Sequence, residues 1–193
     1  MTAAPRPAVD VVAIGASAGG IDALFALLQD LDVGSRAALV TVLHLPPHGE
    51  SRLATIFGPR VRCPAVEAQP HAPLAAGTLH FAPPDYHLLV EPDLSLSFSC
   101  EPPVNYSRPS IDVLFESCAA LGDRAAGLLL TGANDDGARG LLAMRRAGAL
   151  TAVQDPAEAA YAAMPLAAVR MGAASQVLPL AGLRMLLQGL LNP

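Results

Sequence analysis

The chain has 193 residues, which is enough for one sizeable hydrophobic core and short for two, so a single domain is expected. Hydrophobic residues make up 52% of the sequence and charged residues 15%, which excludes an intrinsically disordered protein. A net charge of −5 without a basic block or a tryptophan argues against nucleic acid as a partner, and the absence of lysine excludes P-loop, Schiff-base and Ser-Lys chemistry.

Four short apolar segments predict buried β-strands. Most are rich in β-branched residues, and they are apolar almost throughout, as expected of a parallel sheet that is covered on both faces. In chain order they are Val9–Gly15, Ala38–His44, Gly127–Thr131 and Ala149–Gln154.

Helical spacing of apolar residues alternates with these strands. A first pattern covers residues 21–31 and a second covers 111–121, with Ser110 as the predicted N-cap. A third helix is predicted to open behind Gly140. This alternation predicts an α/β fold: a doubly wound, mostly parallel sheet with helices on both faces.

Residues 79–99 show a different pattern. Three short strands are predicted here, separated by the turn-forming runs Pro83-Pro84-Asp85 and Pro92-Asp93. The predicted strands are Leu79–Ala82, Tyr86–Glu91 and Leu94–Ser99. We expect them to form an antiparallel hairpin insertion.

A serine, a histidine and an aspartate come at or just after the ends of three predicted strands. Ligands bind beyond the carboxyl ends of the strands in an open parallel sheet, so residues at these ends share one rim. Ser17 follows the first strand, His44 ends the second, and Asp136 lies in the loop after the third. A nucleophilic hydrolase needs these three groups.

Residues Gly15 to Gly19 match the pattern G-x-S-x-G between a strand and a helix. The glycines allow a sharp turn that presents the Ser17 hydroxyl, and the helix N-terminus offers free N–H groups to an oxyanion. The Ala18 amide is the natural first donor, and a second is expected from the loop 132–134, at Ala133. The alternative is a glycine-rich turn with an idle serine.

Other interpretations of the imidazole and the carboxylate remain open at this point. His44 is the only histidine at the end of a strand of the predicted parallel sheet, but it can also be a packed or surface residue. The rival histidines are His48, His71, His80 and His87. Composition does not choose between Asp135 and Asp136, whose loop is also an ordinary turn. A magnesium site is a weaker alternative, because Asp155 is the only further carboxylate nearby.

The order of these residues along the chain excludes two familiar enzyme classes. All five histidines precede Asp135, so the order is Ser, His, Asp, whereas α/β-hydrolases have Ser, acid, His. A dinucleotide site is disfavoured because the loop GASAGG is not G-x-G-x-x-G and the second strand ends in His44 instead of an acid.

The cellular compartment is indicated by what the chain does not contain. Cys63, Cys100 and Cys118 are odd in number and far apart, which is typical of a reducing cytosol and not of a disulfide framework or a zinc site. Residues 1–10 have no apolar core of a secretory signal. No apolar run approaches the about 20 residues that a spanning helix needs.

Four motifs follow one another at large separations. They are Ile14–Gly20 (IGASAGG), His44–Pro47 (HLPP), Asn105–Phe115 (NYSRPSIDVLF) and Leu130–Gly137 (LTGANDDG). Together they resemble the catalytic domain of CheB-type chemotaxis protein-glutamate methylesterases. Residues 77–83 with His87 resemble that family's hairpin region, and the likeness extends from about residue 9 to residue 190.

The resemblance implies a catalytic triad of Ser17, His44 and Asp136, and it selects Asp136 because this acid directly precedes Gly137. It implies hydrolysis of glutamate γ-methyl esters on the cytoplasmic helices of methyl-accepting chemoreceptors, with release of methanol. Deamidation of receptor glutamines is the family's second activity. The expected protein is cytoplasmic, needs no cofactor or metal, and neither binds nucleic acid nor inserts into a membrane.

Arg108, in the third motif, is expected to line the cleft and meet acidic receptor residues, or else to be a surface arginine before a helix. The chain departs from the family's usual pattern at Ala18, where threonine is frequent, and at Ala133-Asn134-Asp135, where Met-Gly-Asn is frequent. Both departures lie on the oxyanion side of the expected site.

The expected domain organisation is a flexible lead-in at residues 1–8 followed by a methylesterase catalytic domain at residues 9–193. The phospho-receiver domain that family members typically carry is not expected in this chain. Two alternative functions stay open: a non-catalytic receptor-binding domain that kept the fold, and a hydrolase of small esters.

Overall fold

A seven-stranded sheet forms the centre of the protein in residues 9–31, 36–44 and 51–192, the part that the computed structural model describes. Its strands are β1 Val11–Ala16, β2 Ala38–Leu43, β3 Ala65–Glu67, β4 Leu79–Phe81, β7 Ala125–Leu129, β8 Leu150–Gln154 and β9 Gln176–Leu178. They lie side by side in the order β3-β4-β2-β1-β7-β8-β9, and all neighbours are parallel. The predicted lead-in at 1–8 and the residues Pro46, Pro47 and His48 lie outside the described residues.

Helices cover both faces of this sheet. They are α1 Gly20–Leu28, α2 Leu53–Phe57, α3 Ile111–Ala119, α4 Ala138–Arg146, α5 Ala163–Arg170 and α6 Leu180–Leu191. One apolar core joins α1, α2 and α6 to one face, and a second joins α3, α4 and α5 to the other. The predicted doubly wound α/β fold is therefore confirmed. In the described ranges, none of the helices has the length and apolar character needed to cross a bilayer.

Burial on both faces explains why the central strands are apolar at every position. All residues of β1 and β2 are buried. Because successive side chains point to opposite faces, Val12 and Ile14 enter one core while Val11 and Ala13 enter the other.

The first of the three strands predicted for residues 79–99 is not part of the hairpin. Residues 79–81 form β4 and pair in parallel with β2 and β3 in the main sheet. All three residues are buried, and a central parallel strand requires this. The hairpin itself consists of the antiparallel strands β5 His87–Val90 and β6 Leu96–Ser99, as predicted for the other two segments.

Helix α4 begins earlier than predicted. Its N-cap is Gly137, with φ of 88°, so Gly140 lies inside the helix instead of in front of it. A Cβ atom at Gly140 would come within 2.5 Å of the Asp112 carbonyl oxygen of α3. Glycine is required here because α3 and α4 pack backbone against backbone.

Five elements were not predicted from the sequence: β3, α2, α5, β9 and α6. Strands β3 and β9 have three residues each and lie at the two edges of the sheet, so they carry little periodic signal. The C-terminal apolar stretch forms the amphipathic helix α6, whose buried face packs on the same side of the sheet as α1.

A matched pair of substitutions tests the α3–α4 contact. Gly140→Ala should lower the free energy of unfolding by about 1–3 kcal/mol, because the new methyl group collides with the backbone of α3. Gly189→Ala, inside α6 with open space around it, should raise the same quantity by about 0.5–1 kcal/mol. Urea denaturation of both variants measures the difference, and equal effects would contradict the close approach.

Candidate active site

The ends of β1, β2 and β7 converge on one rim of the sheet. Strand β1 lies between the other two, with Ala16 opposite Leu43 of β2 and Gly15 opposite Leu129 of β7. After β1 the chain forms β2, β3 and β4 on one side of it, and later forms β7, β8 and β9 on the other side. This rim is therefore the point where the strand order reverses, the topological switch point. Loops that leave these three strands are therefore brought together.

The side chains of Ser17, His44 and Asp136 form a continuous hydrogen-bonded chain at this rim. Ser17 Oγ lies 3.1 Å from His44 Nδ1, and His44 Nε2 lies 2.8 Å from Asp136 Oδ2. An ionised carboxylate only accepts hydrogen bonds, so Nε2 carries the proton and Nδ1 offers its lone pair to the serine hydroxyl. The His44 side chain is 11% exposed, and that of Asp136 is fully buried.

Asp136 accepts five hydrogen bonds. Oδ1 receives the Asn105 amide at 3.1 Å, the Ser110 hydroxyl at 2.8 Å and the Asp112 N–H at 3.1 Å. Oδ2 receives His44 and the Ile111 N–H at 2.7 Å. Burial raises the pKa of Asp136, but the hydrogen bonds from His44, Ile111 and Ser110 outweigh it, and the net pKa lies below the ordinary value. The carboxylate is thus held in its charged form.

Ser110 occupies the N-cap position of α3, as predicted, but its side chain does not cap the helix. The hydroxyl instead donates to Asp136, and the first two amides of the helix, at Ile111 and Asp112, also point at that carboxylate. A negative charge at a helix N-terminus is favourable. Asp136 therefore caps α3 from a different part of the chain.

The turn that carries Ser17 is anchored from the loop after β7. The Ser17 N–H donates to the Thr131 carbonyl at 3.0 Å, and the Thr131 hydroxyl donates to the Ala18 carbonyl at 2.9 Å. Gly19 has φ of 74°, a left-handed conformation that glycine adopts without strain. Ile21, predicted to lie on the buried face of the first helix, is 40% exposed and lines a cavity beside Ser17.

The two predicted oxyanion donors lie in the loops that follow β1 and β7 at this rim. Ala18 is in the turn before α1, and Ala133 is exposed in the loop after β7. Neither backbone N–H makes a hydrogen bond within the described ranges. Both amides are thus available to a bound group.

Arg108 lines a second cavity, whose wall also includes His44 and Ser107. Its Nη1 donates to the carbonyl oxygens of Cys100 and Glu101, both at 3.2 Å. Its Nε is buried and has no hydrogen-bond partner in the part of the chain that the structure describes. The guanidinium is thus held at the cavity wall through Nη1.

Sequence reasoning missed two residues that contact the Ser17–His44–Asp136 chain. Asn105 donates to Asp136, and the Ser107 hydroxyl lies 3.4 Å from His44 Nδ1, the same nitrogen that faces Ser17. Both belong to the motif NYSRPSIDVLF, of which only Arg108 was considered for a role. An Asn-containing turn beside a predicted site was the signal that could have drawn attention to them.

The competing acids lie away from His44. Asp135 is exposed, and Asp155 accepts the Ala157 N–H in the turn after β8. A search of the described ranges finds no group of three His, Cys, Asp or Glu side chains placed to bind a metal ion.

The rival histidines also have other contacts. His80 lies in β4, and its Nε2 is 3.4 Å from the Ala75 carbonyl. His87 is buried beside α3: its Nδ1 accepts the Ser110 N–H, and its Nε2 donates to the Pro102 carbonyl. His71 lies in a turn and donates its backbone N–H to Leu96, while His48 falls outside the described residues.

Comparison with known families agrees with this architecture. Residues 12–187 match the family model described as CheB methylesterase. The chain belongs to the CheB methylesterase family. The resemblance carried by the four sequence motifs is confirmed.

Two relatives in the CheB family illustrate the coverage. A protein of Leptospira interrogans, named a putative protein-glutamate methylesterase/protein-glutamine glutaminase, is 39% identical over 172 residues, which cover 89% of each chain. A protein-glutamate methylesterase/protein-glutamine glutaminase of Burkholderia thailandensis is 42% identical over 179 residues, which cover 89% of this chain and 49% of that one. The chain thus spans about half the length of the second relative.

A solved structure supports the CheB fold. The crystal structure of the Thermotoga maritima CheB methylesterase catalytic domain superimposes with a TM-score of 0.88, over 95% of this chain and 100% of that one. The two sequences are 24% identical, so the likeness concerns the fold.

The anchoring role of Asp136 predicts a pH-dependent loss of stability. At neutral pH, Asp136→Asn should lower the free energy of unfolding by about 2–3 kcal/mol, because the variant leaves buried donors with poorer acceptors. The pKa of Asp136 is lower in the folded protein than in the unfolded chain. The difference in free energy of unfolding between the wild type and Asp136→Asn, the stability gap, is therefore complete above the pKa that Asp136 has in the unfolded chain. It vanishes as the pH falls through the pKa that Asp136 has in the folded protein.

Urea denaturation at a series of pH values measures this gap, with Asp135→Asn as the control for removal of an adjacent, exposed carboxylate. A gap that widens toward acid pH, or one that is equal in the two variants, would contradict the anchoring role.

Proposed function

We propose that the protein is a cytoplasmic serine hydrolase that removes methyl groups from glutamate γ-methyl esters of chemoreceptors, with Ser17, His44 and Asp136 as its triad. The proposal rests on the hydrogen-bonded chain from Ser17 Oγ through His44 to Asp136 at the switch point of a CheB-family fold. The names of the relatives give the substrate class, a protein glutamate ester, and add glutamine deamidation as a second activity.

In the acylation step, Ser17 Oγ attacks the ester carbonyl while His44 Nδ1 takes its proton. The 3.1 Å separation of these atoms allows direct transfer. The carbonyl oxygen becomes an oxyanion, the imidazolium returns the proton to the methoxy group, and methanol leaves. The product of this step is an ester between the substrate glutamyl group and Ser17.

In the deacylation step, water attacks the acyl group and gives its proton to His44 Nδ1. Collapse of the second tetrahedral intermediate returns the proton from His44 to Ser17 Oγ and releases the glutamyl carboxylic acid, which loses its own proton to solvent. With a glutamine substrate the leaving group is ammonia, and the acyl-enzyme is the same. Both activities therefore need one nucleophile and one base.

Asp136 stabilises the positive charge that His44 acquires in both steps. Its carboxylate accepts a hydrogen bond from the Nε2–H of His44 at 2.8 Å and has no contact with solvent. The attraction between the carboxylate and the imidazolium is therefore weakly screened. Because the pKa of Asp136 is lowered, the carboxylate stays charged while His44 cycles between its neutral and charged forms. This fixes Nδ1 as the nitrogen that faces the nucleophile.

The oxyanion would be held by the Ala18 N–H at the start of α1, with Ala133 as a second donor. The position of Ala18 directly after the nucleophile and before a helix favours this role, because the N-terminal end of the helix carries partial positive charge. Using backbone donors also makes the role independent of the side chains at 18 and 133, where this chain has alanine.

Residues 9–193 would act as one catalytic domain on the cytoplasmic helices of methyl-accepting receptors. Arg108 is proposed to contact acidic side chains of the receptor near the ester. The support is its fixed guanidinium, which is held through Nη1 and lies at the cavity shared with His44. A planar guanidinium suits a carboxylate partner.

Ser17→Ala tests the hydrolase directly. Methanol release from methylated receptor should fall by about 10⁴–10⁶-fold, because the nucleophile is lost. A serine-reactive phosphonate should label the Ser17 peptide of the wild type, as detected by mass spectrometry. Ser95→Ala is the control, because Ser95 lies in the turn of the β5–β6 hairpin, where its hydroxyl donates to Asp93.

Three outcomes would change the assignment. Near-native methanol release by Ser17→Ala would exclude this nucleophile. Receptor binding without turnover or labelling would favour a non-catalytic binding domain. Hydrolysis of p-nitrophenyl acetate without action on receptor would favour a hydrolase of small esters.

Arg108→Ala should raise KM for methylated receptor by about tenfold while leaving the hydrolysis of a neutral small ester unchanged, because only the receptor offers acidic partners. Arg170→Ala, in the last turn of α5, is the control for loss of one positive charge elsewhere. Unchanged KM for receptor in Arg108→Ala would leave this residue as a surface arginine.

A further inference from the structure

A two-residue turn holds the Asn105 side chain between two buried carboxylates. Val104 and Ser107 exchange backbone hydrogen bonds of 3.1 and 2.9 Å, and the two residues between them, Asn105 and Tyr106, have φ of 50° and 62°. Positive φ at both central positions is the geometry of a type I′ turn, in which asparagine is favoured. The turn directs the Asn105 amide inward while Tyr106 is fully exposed.

The Asn105 amide nitrogen donates one hydrogen bond to each of two carboxylates. It lies 3.1 Å from Asp136 Oδ1 and 3.0 Å from Asp112 Oδ2. Both carboxylates are buried, and two like charges at this spacing in a medium of low polarity repel each other. The amide dipole between them offsets that repulsion, since both of its N–H groups point at negative oxygens.

Asp112 is firmly held on its other side. Its Oδ1 accepts the Gly140 N–H at 2.8 Å, and its Oδ2 accepts Arg139 Nε at 3.1 Å. The repulsion from Asp112 therefore persists when the amide is missing, while Asp136 Oδ1 loses one of its three donors. Oδ2 of the same Asp136 carboxylate is the atom that orients His44.

The same turn also reaches the imidazole. The Ser107 hydroxyl lies 3.4 Å from His44 Nδ1 and 3.5 Å from the Asn105 carbonyl. One turn thus contacts both the base and the acid of the triad.

We propose that Asn105 is a positioning residue: its amide, shared between Asp112 and Asp136, fixes the Asp136 carboxylate so that His44 Nδ1 faces Ser17. The inference rests on the proposed function, because alignment of His44 matters only if His44 is the base. Asn105 does not touch the reacting atoms and acts through Asp136.

Two substitutions separate the amide from the turn. Asn105→Gly keeps the positive φ at no steric cost and removes the amide together with its methylene group. Asn105→Asp keeps the size and the tolerance for positive φ but places a third carboxylate against the other two. A role confined to the turn leaves Asn105→Gly at the wild-type level, because glycine keeps the turn, whereas the positioning role lowers both variants and ranks Asp below Gly.

The expected results are a kcat about tenfold lower for Asn105→Gly and lower still for Asn105→Asp, with KM for methylated receptor unchanged in both. The rate of Ser17 labelling by a phosphonate should fall in the same order. The His44 ring nitrogen and proton signals in NMR should shift in both variants, since the imidazole is less firmly held. Circular dichroism confirms that each variant is folded.

Wild-type kcat and labelling in Asn105→Gly, or Asn105→Asp at or above the level of Asn105→Gly, would overturn the positioning role. Failure of the proposed function looks different. If the wild type does not turn over receptor but labels at Ser17, the methylesterase assignment fails and the labelling order still decides the role of Asn105. If the wild type does not label at all, both proposals fall.

Discussion

The rest of the site depends on one buried charge, the carboxylate of Asp136. An ionised group without solvent contact is very costly unless it is paired and fully hydrogen-bonded. Here the donors come from three separate parts of the chain: His44 after β2, Asn105 in the turn, and residues 110–112 at the start of α3. Satisfying this one carboxylate therefore fixes the relative positions of all three, and the orientation of the imidazole follows.

The N-terminus of α3 is divided between two acceptors. Asp136 takes the amides of Ile111 and Asp112, while the preceding amide, at Ser110, donates to Nδ1 of the buried His87. His87 can accept that bond only in its neutral form, with the proton on the Nε2 that donates to Pro102. His87, which was a rival of His44 in the sequence, thus helps to hold the N-terminus of α3 where its amides donate to Asp136.

The sequence predicted the components of the site better than the contacts that align them. The rim followed from strand ends alone, since the parallel order of β2, β1 and β7 brings Ser17, His44 and the Asp136 loop together. The hairpin assignment of residues 79–81 was wrong because a three-residue apolar strand looks the same in either setting until its neighbours are known. Asn105 was missed because its contacts depend on a turn with two positive φ angles and on the placement of Asp112 close to Asp136. No linear sequence pattern shows either feature.

Two glycines of the rim, Gly15 and Gly137, face the same side chain, that of Ile111. A Cβ atom at Gly137 would come within 2.6 Å of Ile111 Cγ2, and one at Gly15 would come closer still to the same atom. Gly15 is the first glycine of G-x-S-x-G, yet its φ is not positive, so it is needed here for close approach and not for backbone freedom. Ile111 can reach its place only if Gly15 of β1 and Gly137 before α4 lack side chains there, and its N–H then meets Asp136 Oδ2 at 2.7 Å. The same packing contact that seats α3 against β1 thus delivers a donor to the buried carboxylate, which is why the strand that leads to Ser17 and the loop that carries Asp136 both contain glycine at this contact.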